Sequence, residues 1–239
     1  MKSSTRSCKV GAGRVFALSI AAGLLAGAVL ATMNLLIVNP YIEPMAELYF
    51  DLLLEEGIMD EDEFDAMLQS LYSWQVAFPL AIGPAAGALV AGAYIKIRKE
   101  AFKVALAVAG AAWLSLYVMP VLKYPYSPDA LFIPEATGAY MTLFAAYSAA
   151  SGLAALGSAI ALARTGKKNW HIGAAGVYLA IVAGLFFAFP SLPETEIVPL
   201  SMLGAWRSAS AAAMTALWFT LGIVAGVLLE RKNGAGRGI

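Results

Sequence analysis

Six stretches of this chain run for membrane-spanning lengths without one Asp, Glu, Lys, Arg or His: Val15–Val38, Val76–Ile95, Val104–Leu122, Ala136–Ala163, Ile172–Pro193 and Ser208–Leu229. A helix rises about 1.5 Å per residue, so roughly 20 residues cross a hydrocarbon core about 30 Å thick. No water reaches that layer, so the backbone must satisfy its own hydrogen bonds there, in helices or in a closed barrel. Barrel strands alternate polar and apolar residues over about 10 positions. Here Ala85–Leu89 and Ile223–Leu229 are apolar on every side. The fold class expected is therefore an all-α integral membrane protein, a bundle of six transmembrane helices. Charge supports this: only 13% of the 239 residues are charged, against about 25% in soluble domains.

The net charge of zero hides a segregation. Lys2, Arg6, Lys9 and Arg14 precede the first span; Lys96, Arg98, Lys99 and Lys103 join spans two and three. Arg164, Lys167 and Lys168 join spans four and five, and Arg231, Lys232 and Arg237 follow span six. That puts 14 of the 16 basic residues on one side, with Lys123, Arg207 and 14 of the 16 acids on the other. By the positive-inside rule both termini lie in the cytoplasm. Three segments follow: a basic cytoplasmic N-terminus (1–14), a six-span membrane domain (15–229) with an acidic outer loop (39–73), and a cytoplasmic tail (230–239). The protein is expected in the cell membrane, with lipid as its solvent and no nucleic-acid partner. The first span is read as a retained anchor. Its 24 apolar residues exceed the roughly 7–15 of a signal-peptide core, and no small-residue cleavage site closes it. Cys8, the lone cysteine, has no intramolecular partner and no metal-ligand neighbour.

Glycines recur every fourth residue at Gly23/Gly27, Gly83/Gly87 and Gly222/Gly226, a spacing that lets helix backbones pack closely in lipid. Packing within one bundle is the expected use, ahead of a dimer seam. Trp74, Trp170 and Trp206 fall at span boundaries, where amphipathic rings favour the headgroup zone. Pro79 and Pro84 interrupt span two and are expected to bend it.

The outer segment from Asn39 to Ser73 holds ten acids and no base. Ile42, Met45, Tyr49, Leu52 and Leu53, then Phe64, Met67, Leu68 and Leu71, recur at helical spacing. Two short amphipathic helices are expected, split at Gly57, the second starting near Asp60 with Glu63 placed for a capping box. The run Asp60–Asp65 lacks the glycine of a calcium-binding EF-hand loop. A solvated acidic face is the first reading; attraction of cations over a Debye length of about 8 Å is the second.

No catalytic constellation is present: there is no zinc-protease helix, nucleophile elbow, phosphate loop or Cys/His pair. The chain is not expected to be an enzyme or to carry a cofactor. His171, the one histidine, sits beside Trp170 where a headgroup-level position is the ordinary expectation. Lys123 and Arg207 break the charge rule. Either they snorkel, or they pair with Glu43, Glu135 or Glu194 at an outer vestibule. Thr32, Asn34, Ser115, Thr142 and Ser148, with Met33, Met119 and Met141 nearby, are expected to line a path.

The outer Pro-rich loop, Pro120-x-x-Lys123-Tyr124-Pro125-x-x-Pro128 followed by Pro134-Glu135-x-Thr137-Gly138, resembles a signature of the CbtA family of probable cobalt transporter subunits. Gly23–Gly27 running into Asn39-Pro40 is similar too, as is Trp206-Arg207-x-Ala209-Ser210 with Leu217-Trp218 and Leu221–Gly226. The resemblance touches nearly the whole chain. It implies a membrane transporter subunit for cobalt, linked to cobalamin synthesis, working beside a small single-span, His-bearing subunit. The outer mouth would then comprise Lys123, Tyr124, Pro125, Pro128, Glu135, Thr137, Arg207, Asn39 and Glu43, with the metal ligands unassigned. The alternative is a non-transporting scaffold or regulatory subunit of a transport complex.

Overall fold

The structure, a computed structural model, describes residues 11–97, 100–166, 169–192 and 197–234, without the side chains of Pro134, Glu135 and 232–234. The expectations for Cys8, the first three basic residues, Arg98, Lys99, Lys167, Lys168, Glu194 and Arg237 lie outside the described residues. Within them the chain is helical, with no strand. Helix α1 (Ala12–Met33) passes through a π turn (Asn34–Val38) and a 3-10 turn (Asn39–Tyr41) into α2 (Ile42–Glu55). There follow α3 (Glu61–Ile97), α4 (Ala101–Trp113), a second π turn (Leu114–Val118), α5 (Met119–Lys123) and α6 (Asp129–Phe132). The last helices are α7 (Pro134–Ala163), α8 (Trp170–Ala188) and α9 (Leu200–Gly234). Six helical stretches among the described residues are long and apolar enough to cross a membrane. Their outward faces match lipid as solvent: Leu36, Leu153 and Phe187 are 71%, 70% and 85% exposed, while Ser19 and Ser151 are fully buried.

Three boundaries differ from the sequence expectation, each for a local reason. The second amphipathic segment is not a separate short helix but the opening of α3, which runs unbroken from Glu61. Nothing between Glu61 and Val76 denies a helix its hydrogen bonds. The expected capping box forms at its start, with Glu63 N–H donating to Asp60 Oδ1 (2.8 Å) and Asp60 N–H to Glu63 Oε2 (3.3 Å). Before it, α2 ends in a Schellman turn with Gly57 at φ +65°. Ile58 N–H donates to Leu53 O and Gly57 N–H to Leu54 O. Helix α8 stops at Ala188, because Pro190 forces Phe189 into extended backbone (φ −80°, ψ 140°). Helix α9 begins just after Pro199, so Arg207 sits two turns inside it and does not open it.

Prolines also explain the π turns. Each ends two residues before a proline, Pro40 or Pro120. A proline ring clashes with the carbonyl four residues back and offers no N–H, and widening the preceding turn relieves both problems. Pro79 and Pro84 are instead carried within α3. Pro79 leaves the Gln75 carbonyl without its helical donor, and Asn34 supplies one from the π turn after α1, Nδ2 to Gln75 O at 3.1 Å.

The chain divides into two compact units. The first comprises residues 11–38, 72–97, 100–110 and 210–234 of those described. Its α1–α3 contact is built from the recurring glycines. A Cβ on Gly23 would stand 2.1 Å from Gly83 O, one on Gly83 2.2 Å from Gly23 O, and one on Gly27 2.3 Å from Pro79 O. Backbone touches backbone at this seam, where lipid gives no hydrophobic drive and close packing must supply the attraction. Gly222 and Gly226 pack likewise against Leu106, Ala109 and Phe102 of α4. The second unit comprises 39–71 and the described part of 111–209. Its core is aromatic: Tyr124, Tyr140, Tyr147 and Tyr178 cluster with Val182.

Because a Cβ has no space at the seam, Gly83→Ala is expected to destabilise the protein by about 1–3 kcal/mol or more. Gly92→Ala, in the same helix with open space around it, is expected to be neutral or stabilising by up to about 1 kcal/mol. Thermal unfolding of both variants in detergent checks the contrast; equal effects would count against the seam.

Candidate functional site

All the expected mouth residues fall in the second unit, where the Pro-rich segment Tyr124–Ile133 is the centre of a polar clamp. Pro125 and Pro128 break the regular ladder, so the segment's carbonyls need donors from elsewhere. Side chains provide them. Tyr140 of α7 donates its hydroxyl to Tyr124 O (3.1 Å), and Thr137 of α7 donates between Ala130 O (3.0 Å) and Ile133 O (2.9 Å). Arg207 of α9 donates Nε–H to Tyr126 O at 2.7 Å. Tyr124 itself is 2% exposed and reaches outward, its hydroxyl donating to Pro190 O at 2.8 Å. Tyr126 packs on Trp206 with ring centroids 5.9 Å apart. Burial pushes the Tyr126 phenol well above its ordinary pKa.

Trp206 is only 4% exposed. It packs against Tyr126, whereas Trp74 (64%) and Trp170 (36%) are exposed. Lys123 is half-buried. Its Nζ donates to Ser191 Oγ (3.3 Å) and lies 4.8 Å from the Phe186 ring centroid. Glu43 is exposed and lines a separate feature. The side chains of Glu135 and Glu194 lie outside the described residues. Pro128 is buried, and the half-buried Asn39 holds an Oδ1 with no hydrogen-bond partner among the described residues. Of the expected path residues, Thr32, Met33 and Asn34 belong to the first unit and the others to the second. Thr32, Ser115 and Ser148 hydrogen-bond to carbonyls of their own helices, as hydroxyls within helices commonly do.

Glu43 lies in a cleft of about 330 Å³ between α2 and the first turns of α3. Glu43, Glu47 and Asp51 line it from α2 and Glu61 and Asp65 from α3, over a floor of Ala46, Phe50, Phe64 and Leu68. Spacing explains the arrangement: residues four apart share a helix face. The other face of α2 is the buried stripe Ile42, Met45, Tyr49 and Leu53. Among the described residues no three His, Cys, Asp or Glu side chains are placed to hold a metal ion together.

The residue that sequence reasoning passed over is Asp129. Its carboxylate is 6% exposed and accepts a hydrogen bond from the hydroxyl of the fully buried Tyr49. The available signal was its setting, a single acid followed by Ala-Leu-Phe-Ile within the Pro-rich loop. Such a neighbourhood takes a carboxylate out of water.

The clamp ranks the two cations. Arg207→Gln, which loses a charged donor from a backbone carbonyl, is expected to cost about 1.5–3 kcal/mol of stability. Lys123→Gln, which loses a long contact to a hydroxyl and a ring contact, is expected to cost about 1 kcal/mol or less. Unfolding midpoints in detergent check this ranking, and a larger loss at Lys123 would reverse it.

Comparison with known proteins gives one finding. No curated protein and no solved structure matches the chain. A family model described as "Probable cobalt transporter subunit (CbtA)" matches residues 13–230, from the start of α1 almost to the end of α9. The chain is a member of the CbtA family, a multi-pass membrane protein of the kind described as a probable cobalt transporter subunit.

Proposed function

We propose that this chain is the ion-admitting membrane subunit of a cobalt uptake system in the cell membrane, with both termini in the cytoplasm and the α2–α3 cleft outside. The observation that carries this reading is the cleft itself, five carboxylates from two helices around one cavity. Within a Debye length of about 8 Å such a surface raises the local concentration of divalent cations. Oxygen donors alone favour hard ions and bind cobalt less selectively. Selection then falls to a partner, and the family's description as a subunit supports one. A small single-span subunit bearing histidine would supply the missing nitrogen ligands.

In this reading residues 1–14 and 230–239 are cytoplasmic ends of a membrane domain spanning 15–229, and 39–73 is its acidic outer loop. Lys123, Tyr124, Pro125, Pro128, Glu135, Thr137, Arg207 and Asn39 form the framework behind the mouth, and Glu43 belongs to its charged rim. Cobalt passes as cargo, and the chain performs no bond chemistry.

Cells carrying the chain and its partner are expected to accumulate cobalt above cells lacking this chain alone. Glu47→Gln with Asp51→Asn is expected to raise the apparent KM severalfold at low ionic strength, and less at high salt, with little change in maximal rate. Uptake kinetics across a panel of divalent ions measure both. Equal accumulation with and without the chain would sink the transport reading. Partner binding retained without uptake would leave a non-transporting scaffold.

A further inference from the structure

Helix α2 presents two faces with different tasks. Glu43, Glu47 and Asp51 face the cleft, while Tyr49 is fully buried. At 3.6 residues per turn, Glu47 and Tyr49 point about 200° apart around the helix. Whatever holds Tyr49 therefore sets the direction of the carboxylates. Apolar contacts along Ile42, Met45, Ala46 and Leu53 hold the helix down but are poor at fixing its rotation, because they are non-directional. A directional contact is made by the hydroxyl of Tyr49 donating to Asp129 Oδ1, beside a ring contact with Phe132 at 4.9 Å. Asp129 is itself fixed. It opens α6 within the segment whose carbonyls Arg207 and Thr137 hold.

We infer that Asp129 is a positioning residue for the acidic cleft: through Tyr49 it locks the rotation of α2 and so aims Glu43, Glu47 and Asp51. A buried carboxylate is costly to keep unless hydrogen-bonded, and a hydroxyl-to-carboxylate bond is among the stronger ones available. The Pro-rich loop and the acidic helix are thereby joined into one mechanical piece. This inference deepens the cation-admitting reading and rests on it for its purpose, though not for its test.

The test uses the purified full-length chain in detergent, with Cys8→Ser removing the only native cysteine and Met45→Cys reporting on the buried face of α2. Maleimide labelling at position 45 is expected to be slow in that background. Tyr49→Phe removes one hydroxyl oxygen and little else. It is expected to speed labelling by about tenfold or more, the factor set by losing one charge-assisted hydrogen bond. Asp129→Ala is expected to do the same, and the two together no more than either alone. Asp129→Asn, which keeps an acceptor oxygen, is expected to recover most of the protection. Unchanged labelling in Tyr49→Phe, or additive effects in the double variant, would overturn the inference. Altered labelling without any uptake activity in the parent chain would uphold the positioning role and remove the transport reading instead. With uptake present, Tyr49→Phe is expected to raise KM for cobalt and spare the maximal rate.

Discussion

The constraint on which this structure depends is the need to pair every backbone polar group where water is absent. Most of the chain meets it by being helical, and the exceptions gather at prolines. Before Pro40 and Pro120 the helix widens into a π turn. At Pro79 the freed carbonyl takes the amide of Asn34. Around Pro125 and Pro128 the helix gives way altogether, and tyrosine, threonine and arginine side chains supply the donors. At Pro79 and around Pro125 and Pro128 the disrupted backbone is thus met by specific polar side chains, which gives those polar residues a place in an otherwise apolar chain.

Viewed this way, Arg207 and Tyr124 have structural reasons to exist before any ion is considered. A guanidinium is always charged and carries several directed donors, which suits a half-buried position beside a carbonyl. The glycine seam of the first unit solves the companion problem of attraction between helices in lipid, by letting carbonyls approach the opposing Cα atoms directly. Charge is left for the α2–α3 hairpin, whose acids are exposed and whose aromatic floor, Phe50 against Phe64 at 4.8 Å, holds its two arms together.

Much of the fold was legible because lipid imposes a simple code: unbroken apolar length gives helices, and Gly-x-x-x-Gly spacing gives close approach. The capping box at Asp60 and the turn at Gly57 were legible for the same reason, since local hydrogen bonds follow local sequence. What could not be read were pairings set by tertiary contact. The fusion of the second amphipathic segment with α3 depends on the absence of a stop signal, which is weaker than its presence. The site was legible as a Pro-rich loop with two odd cations, but the contacts they make to the Tyr126 carbonyl, the Ser191 hydroxyl and the Phe186 ring carry no sequence signature. Asp129 was hidden by the ten acids of the preceding loop, although burial sets it apart from them.

The central claim is that the hydrocarbon is crossed six times with the acidic hairpin outside. Single cysteines at Asp62, in α3's first turn, and Thr165, after α7, placed in a Cys8→Ser chain, test it directly. An impermeant maleimide added to intact cells is expected to label position 62 at once and position 165 only after permeabilisation. Labelling of both positions under the same condition would contradict the topology, and with it the outward-facing cleft.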